Sequence, residues 1–117
     1  MIAPARIEGA LTLEPQIAQA MVYGDKRPYI VAVIVPAQEL VDRAQGDDAA
    51  LQKSIAAVVS RVNQGLANIE RVRRFVIAHE AFTTANGQMT PTLKIRRHAI
   101  RAVYGTALEA LYEGKSA

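Results

Sequence analysis

Apolar positions change period several times along this chain, and each change marks an element. Near the N-terminus Ile7, Ala10 and Leu11 recur at helical spacing. They follow Pro4, which suits a first helical turn because its missing N–H would be unpaired there anyway. Pro15 ends this helix. Ile17 to Tyr23 reads as a strand stopped by Gly24-Asp25. Tyr29 to Val35 is a continuous apolar run between Pro28 and Pro36, the signature of a buried strand. The short Gly24–Pro28 turn makes the two an antiparallel hairpin.

Gln38 to Ala44 predicts a short helix that ends near Gly46. Asp47 or Asp48 then caps a longer helix running to about Leu66. Its apolar positions are Leu51, Ile55, Val58, Val59, Val62 and Leu66. Val72 to Ala78 reads as a third strand, with Arg71, Arg73 and Arg74 before and within it. Phe82 to Met89 reads as a short hairpin around Asn86-Gly87, since both residues tolerate positive φ. A last helix spans Ile95 to Tyr112, with Ala99, Ile100, Val103, Ala107, Leu108 and Leu111 turned inward. No repeat or low-complexity linker interrupts the pattern, and only Gly114 to Ala117 reads as tail. The expected fold is α+β: a small, mainly antiparallel sheet of about three strands packed by helices, plus a short hairpin bearing a lysine loop.

Composition narrows the class. A chain of 117 residues is one domain, long enough to bury a core without staples. Half of the residues are hydrophobic but only 5% are aromatic, so the core must be aliphatic. The lack of cysteine excludes disulfides, thiolate zinc sites and a cysteine nucleophile, and fits a reducing cytoplasm. No apolar run approaches the roughly 18–20 residues that span a bilayer, and no secretory signal opens the chain. A cytoplasmic protein, peripheral to a membrane at most, is expected. The net charge of +3 suits an anionic ligand such as a nucleotide or CoA phosphate.

The stretch richest in chemistry is Asn86-Gly87-Gln88-Met89-Thr90-Pro91-Thr92-Leu93-Lys94-Ile95-Arg96-Arg97. Pro91 fixes φ and removes a backbone donor, so the peptide leading to Lys94 is neither regular helix nor central strand. Lys94 is thus a mobile point charge on a surface loop, where function concentrates. Arg96, Arg97, His98 and Arg101 extend the basic run. A solvated basic face explains them, and the aromatics that would interleave with the charges of a nucleic-acid site are missing. Specific nucleic-acid binding is therefore not expected. His79 and His98 lack acidic or cysteine partners at ligand spacing, so no metal site is expected either.

Thr90-Pro91-Thr92-Leu93-Lys94 followed by its basic run resembles the C-terminal lysine motif of adenylate-forming acyl-CoA synthetases, in the form of the long-chain fatty-acid branch. Related ligases have Gly where this chain has Leu93. Ile2-Ala3-Pro4-Ala5-Arg6-Ile7-Glu8 resembles the end of the motif that opens that family's C-terminal domain. Gly24-Asp25-Lys26-Arg27-Pro28-Tyr29 and the following Ile30 to Pro36 resemble the strand pair that comes next. Tyr104 to Tyr112 resembles the closing helix. The resemblance covers nearly all of residues 1–117, in family order. Met1 leading directly into a mid-motif segment points to a cloned boundary.

The resemblance implies a C-terminal domain of a long-chain fatty-acid–CoA ligase, working against a larger N-terminal domain that this chain lacks. It implies fatty acid, ATP, Mg2+ and CoA as reactants of the parent enzyme, with none held by this fragment alone. Lys94 would sit near the fatty-acid carboxylate and the ATP α-phosphate as the catalytic lysine. Lys26, Arg27 and Arg97 are candidate contacts for CoA or another phosphate, although turn exposure and a solvated helix face explain them equally well. A fragment parted from its partner domain is also expected to self-associate. Two other readings stay open: another adenylate-forming ligase, acting on aryl, medium-chain or amino acids, and a stand-alone binding module.

Overall fold

The computed structural model describes residues 3–24 and 26–113. Met1, Ile2 of the opening motif, Asp25 of the first turn and the expected tail at 114–117 lie outside them. Strand β1 (Ile17–Tyr23) and strand β2 (Ile30–Pro36) form the expected antiparallel hairpin, with Tyr23 opposite Val31 and Ala20 opposite Ile34. Strand β3 (Val72–Ile77) lies on the other side of β2, giving the order β1-β2-β3. This second pairing is parallel, with Ala32 beside Phe75 and Val33 beside Val76. Its cause is the long crossover between β2 and β3, which returns the chain to the end of the sheet where β2 began. The α+β domain is therefore built on a mixed sheet, one ladder of each kind.

Helices cover both faces, which is why β2 is buried along its whole length. On one side lie α1 (Pro4–Thr12) and α3 (Asp48–Asn63). Their Ile7, Leu11, Ile55, Val58 and Val59 meet Ala20, Val22, Ile30, Ala32 and Ile34. On the other side α4 (Arg97–Tyr112) lays Ile100, Leu108 and Leu111 onto Met21, Val31, Val33, Val35 and Val76, with Phe82 filling the end. Alternation along β2 thus sends even-numbered residues to one face and odd-numbered ones to the other. A register shift between Ile17 and Gln19 adds one residue to β1, so Ile17 and Ala20 share a face despite their odd spacing. A second shift, opposite Ile30 and Val31, does the same for Val72 and Phe75.

Local chemistry sets the ends. Pro4 stands at the start of α1. Asp47 caps α3 by accepting from the Ala50 N–H at 3.0 Å. The helix stops at Asn63, three residues before the expected Leu66, and Leu66 is buried from the loop beyond it. Asn63 turns outward to exchange two 2.9 Å hydrogen bonds with the backbone of Val72, pinning the first residue of β3. The short α2 (Gln38–Ala44) matches its expected range and leads into Gly46 at φ 82°.

Two expectations are corrected. Val103 does not face the core but is 64% exposed; Tyr104 takes the inward position on the α4 surface instead. The hairpin expected over 82–89 does not form around Asn86-Gly87. There the chain closes on itself: Gly87 N–H donates to Thr84 and Gln88 N–H to Thr83, and the Asn86 amide satisfies Thr83, Gln88 and Ala81. Asn86 spends its side chain on the loop's own backbone, so no strand partner is needed. The short hairpin lies just downstream, at an antiparallel bridge between Met89 and Ile95, and it does carry the lysine loop.

Candidate functional site

The lysine loop is a five-residue cap on that bridge. Thr90 N–H donates to the Lys94 carbonyl at 2.8 Å, and Lys94 N–H donates back to Thr90 Oγ1 at 3.1 Å. Thr90 Oγ1 is also 3.0 Å from Thr92 Oγ1. Leu93 N–H donates to Thr90 at 2.9 Å. One threonine therefore organises the whole loop. Below it, Arg96 N–H donates to the Gln88 carbonyl at 2.8 Å, and the Arg96 guanidinium donates to the Gly87 carbonyl at 3.0 Å.

Within this loop Leu93 adopts φ 66°, in the left-handed region that favours glycine. A glycine here would adopt this φ without a side-chain clash. Leu93 itself is 75% exposed. Lys94 is exposed too, and among the described residues its ammonium has no hydrogen-bond or ion-pair partner. The backbone is held at five points while the charge stays free for something outside the chain.

The other predicted residues divide. Arg97 is not a free cation: both of its terminal nitrogens bond the buried carboxylate of Glu8, each at 2.5 Å. Arg27 is likewise engaged. It pairs with Glu109, and its guanidinium carbon lies 4.9 Å from the centre of the Tyr112 ring and 5.9 Å from that of Tyr23. A hydrogen bond with Tyr23 and the charge of Glu109 raise its pKa above the ordinary value. Lys26, in contrast, is exposed at φ 60° and reaches into a cleft of about 330 Å³. Arg71 and Arg73 line the same cleft. Arg71 donates to the Leu66 carbonyl at 3.3 Å, and Arg73 to Asn68 Oδ1 at 2.8 Å. Among the described residues no carboxylate lines that cleft, and its charged lining is cationic. Sequence reading missed Arg71 and Arg73 as part of it, because only the parallel return of β3 brings them beside the first turn.

Lys94 and this cleft do not converge. The cavity beside the lysine loop is lined by Ala18, Gln19 and Ala20 near the start of β1, and the cleft opens at Gly24, just past its end. Four steps of chain, from Ala20 to Gly24, separate them by roughly 13 Å. No group of three or more His, Asp or Glu able to hold a metal occurs among the described residues. No described helix is long and apolar enough to cross a membrane.

Residues 1–116 match the family model described as "AMP-binding enzyme C-terminal domain". The chain belongs to that family. The long-chain-fatty-acid–CoA ligase FadD15 of Mycobacterium tuberculosis is 32% identical over 125 residues, covering 95% of this chain and 21% of the ligase. The carboxylic acid reductase of Segniliparus rugosus is 33% identical, covering 95% of this chain and 10% of the reductase. Among solved structures, the adenylation domain of a carboxylate reductase from Mycobacterium chelonae superposes with TM-score 0.88 at 33% identity, over 96% of this chain and 18% of that one. This C-terminal domain thus spans between a tenth and about a fifth of the length of these relatives.

Proposed function

We propose that this chain is the mobile C-terminal domain of an enzyme that activates a carboxylic acid with ATP, that Lys94 is its catalytic lysine, and that the parent is a long-chain fatty-acid–CoA ligase. The observation that carries the reading is the Lys94 ammonium, without a hydrogen-bond or ion-pair partner among the described residues, on a loop braced by Thr90 and Arg96. In the first half-reaction a carboxylate oxygen bonds to the α-phosphorus, and the bond to the bridging oxygen breaks to release pyrophosphate. Negative charge grows on the phosphoryl oxygens. Lys94 supplies a compact positive charge and three donors there. At about 4 Å and an effective dielectric of about 20 such a pair interacts by roughly 4 kcal/mol before desolvation.

In the second half-reaction the CoA sulfur bonds to the acyl carbon and AMP leaves. The cationic cleft of Lys26, Arg71 and Arg73 suits the phosphates of CoA. Its separation from Lys94 along β1 supports a domain that turns between two poses, presenting one end and then the other. The partner of both poses is the larger N-terminal domain of the same enzyme. Magnesium accompanies the nucleotide in such a reaction. No group of three or more His, Asp or Glu among the described residues fits the ion, so in this reading the partner domain and the phosphates would hold it.

The likeness to the Mycobacterium chelonae carboxylate reductase domain favours a second reading, in which the same adenylation feeds a reductase. Both readings share Lys94 and the first half-reaction and part at the acceptor. The test uses the full-length parent with Lys94→Ala. Adenylation, followed by pyrophosphate release, should fall about 10²–10³-fold. Thioester formation from preformed acyl-adenylate and CoA should persist. An equal fall in both, or in neither, removes the role assigned to Lys94. A wild-type parent that forms adenylate but no acyl-CoA selects the reductase reading.

A further inference from the structure

Among the described residues no hydrogen bond or ion pair holds the Lys94 ammonium, so its position depends on where its loop is attached. Three residues after Lys94 the chain enters α4 at Arg97. Helix α4 has neither a side-chain cap nor an acidic residue in its first turn. What meets that end of the helix is Glu8, which lies 89 positions earlier in sequence. Its side chain is only 10% exposed. Glu8 Oε1 accepts from Arg97 Nη2, and Oε2 accepts from Arg97 Nη1 and from the Val22 N–H at 2.8 Å.

One carboxylate therefore joins three elements: α1 that carries it, the outer edge of β1, and the first residue of α4. A buried acid with three donors and a two-pronged arginine is a rigid joint, because the fork fixes angle as well as distance. Position 97 is also the nearest point after Lys94 at which the loop is bonded to the body of the domain rather than to itself.

We infer that Glu8, acting through Arg97, is a positioning residue for Lys94. It holds the exit of the lysine loop at a fixed attitude to the sheet, so that moving the domain moves the ammonium with it. The inference rests on the proposed role of Lys94 for its catalytic consequence, but not for its structural one.

The test compares Glu8→Gln, Arg97→Lys and the double variant in the full chain. Glu8→Gln keeps an acceptor for Val22, and Arg97→Lys keeps the charge while removing the fork. Amide hydrogen exchange is read at Thr90, Lys94 and Arg96, with Val31 to Val35 as the internal control. The loop amides should exchange about tenfold faster in each single variant and no faster in the double, since both break one joint. The β2 amides should hold. In the full-length parent the same variants should lower kcat for adenylation with little change in KM, and leave thioester formation intact. Unchanged loop amides, or β2 amides that accelerate with them, overturn the inference. Accelerated loop amides with unaltered adenylation leave the joint standing and count instead against Lys94 as the catalytic lysine.

Discussion

The side chain of Gln19 and the backbone of Phe82 bond each other in both directions: Gln19 Nε2 donates to the Phe82 carbonyl at 3.0 Å, and Phe82 N–H donates to Gln19 Oε1 at 2.8 Å. Strand β1 is an edge of the sheet, and edges leave backbone groups without partners. Gln19 offers the returning chain an amide in place of another strand. Phe82 is thereby seated with its ring in the core, and the segment from Ala78 to the lysine loop is docked along β1.

Gln19→Leu should therefore destabilise the domain by about 1–3 kcal/mol, because it orphans one donor and one acceptor of Phe82 at once. Urea unfolding measures the loss. A shift under about 0.5 kcal/mol would mean that water replaces the amide without cost.

Leu93 gives a different outcome. Its left-handed φ costs on the order of 1 kcal/mol relative to glycine. Glycine relieves that strain but adds roughly 0.5–1 kcal/mol of conformational entropy to the unfolded chain. Leu93→Gly should thus leave the unfolding midpoint nearly unchanged, while Leu93→Val, β-branched at the same φ, should lower it. Thermal unfolding of the three forms checks this order. A clear loss on going to glycine would show that the exposed leucine makes stabilising contacts that its 75% exposure does not suggest.

Most of this architecture was written locally. Ile17–Tyr23 and Gln38–Ala44 follow from period, proline and glycine alone, the run Tyr29 to Val35 lies one residue from the strand Ile30–Pro36, and Asp47 announces its helix. What local pattern could not supply was pairing at a distance. The parallel return of β3, which carries Arg71 and Arg73 to Lys26, depends on where a long crossover ends. Arg97 read as a loose cation because Glu8 lies in another motif at the far end of the chain. The Asn86-Gly87 turn carried its usual hairpin signal, yet the Asn86 side chain satisfied the loop before any strand could. Lys94 was legible as an exposed charge on a loop; that no described residue pairs with its ammonium required the fold.

Tyr112 ties the end of α4 to the first hairpin. Its hydroxyl donates to the Tyr29 carbonyl at 2.8 Å, and its ring lies 4.9 Å from that of Tyr29. Burial pushes its pKa from 10 up to about 12, with the phenols of Tyr23 and Tyr29 and the charge of Glu109 adding to the rise and Arg27 opposing it. Between those values the folded state keeps a proton that the unfolded state releases. The stabilisation is therefore complete below pH 10 and disappears as pH rises through about 12. Wild-type stability should fall with pH across that window more steeply than stability of Tyr112→Phe, whose position 112 does not ionise. Denaturant midpoints at stepped pH measure both slopes, and phenolate absorbance should show one tyrosine ionising late. Equal slopes would mean that Tyr112 ionises alike in both states.

The cationic cleft supplies the last prediction, because its arginines and its lysine are held so differently. Arg27 is stacked on Tyr112 and paired with Glu109, so Arg27→Ala should lower the stability of the isolated domain. Lys26 is exposed and makes no hydrogen bond or ion pair among the described residues, so Lys26→Asn, which tolerates the same positive φ, should not. In the full-length parent the order reverses for ligand binding. Each exposed charge contact is worth about 0.2–1 kcal/mol, so Lys26→Asn should raise the KM for CoA about 1.4- to fivefold, with adenylation untouched. Lys26→Glu, which replaces attraction by repulsion beside Arg71 and Arg73, should raise it further. Both effects should shrink as salt is added, since exposed charges are screened within about 10 Å at 0.1 M ionic strength. A KM for CoA indifferent to Lys26 at low salt would take the CoA phosphates out of this cleft. A KM that rises equally at high salt would point instead to a distorted first turn.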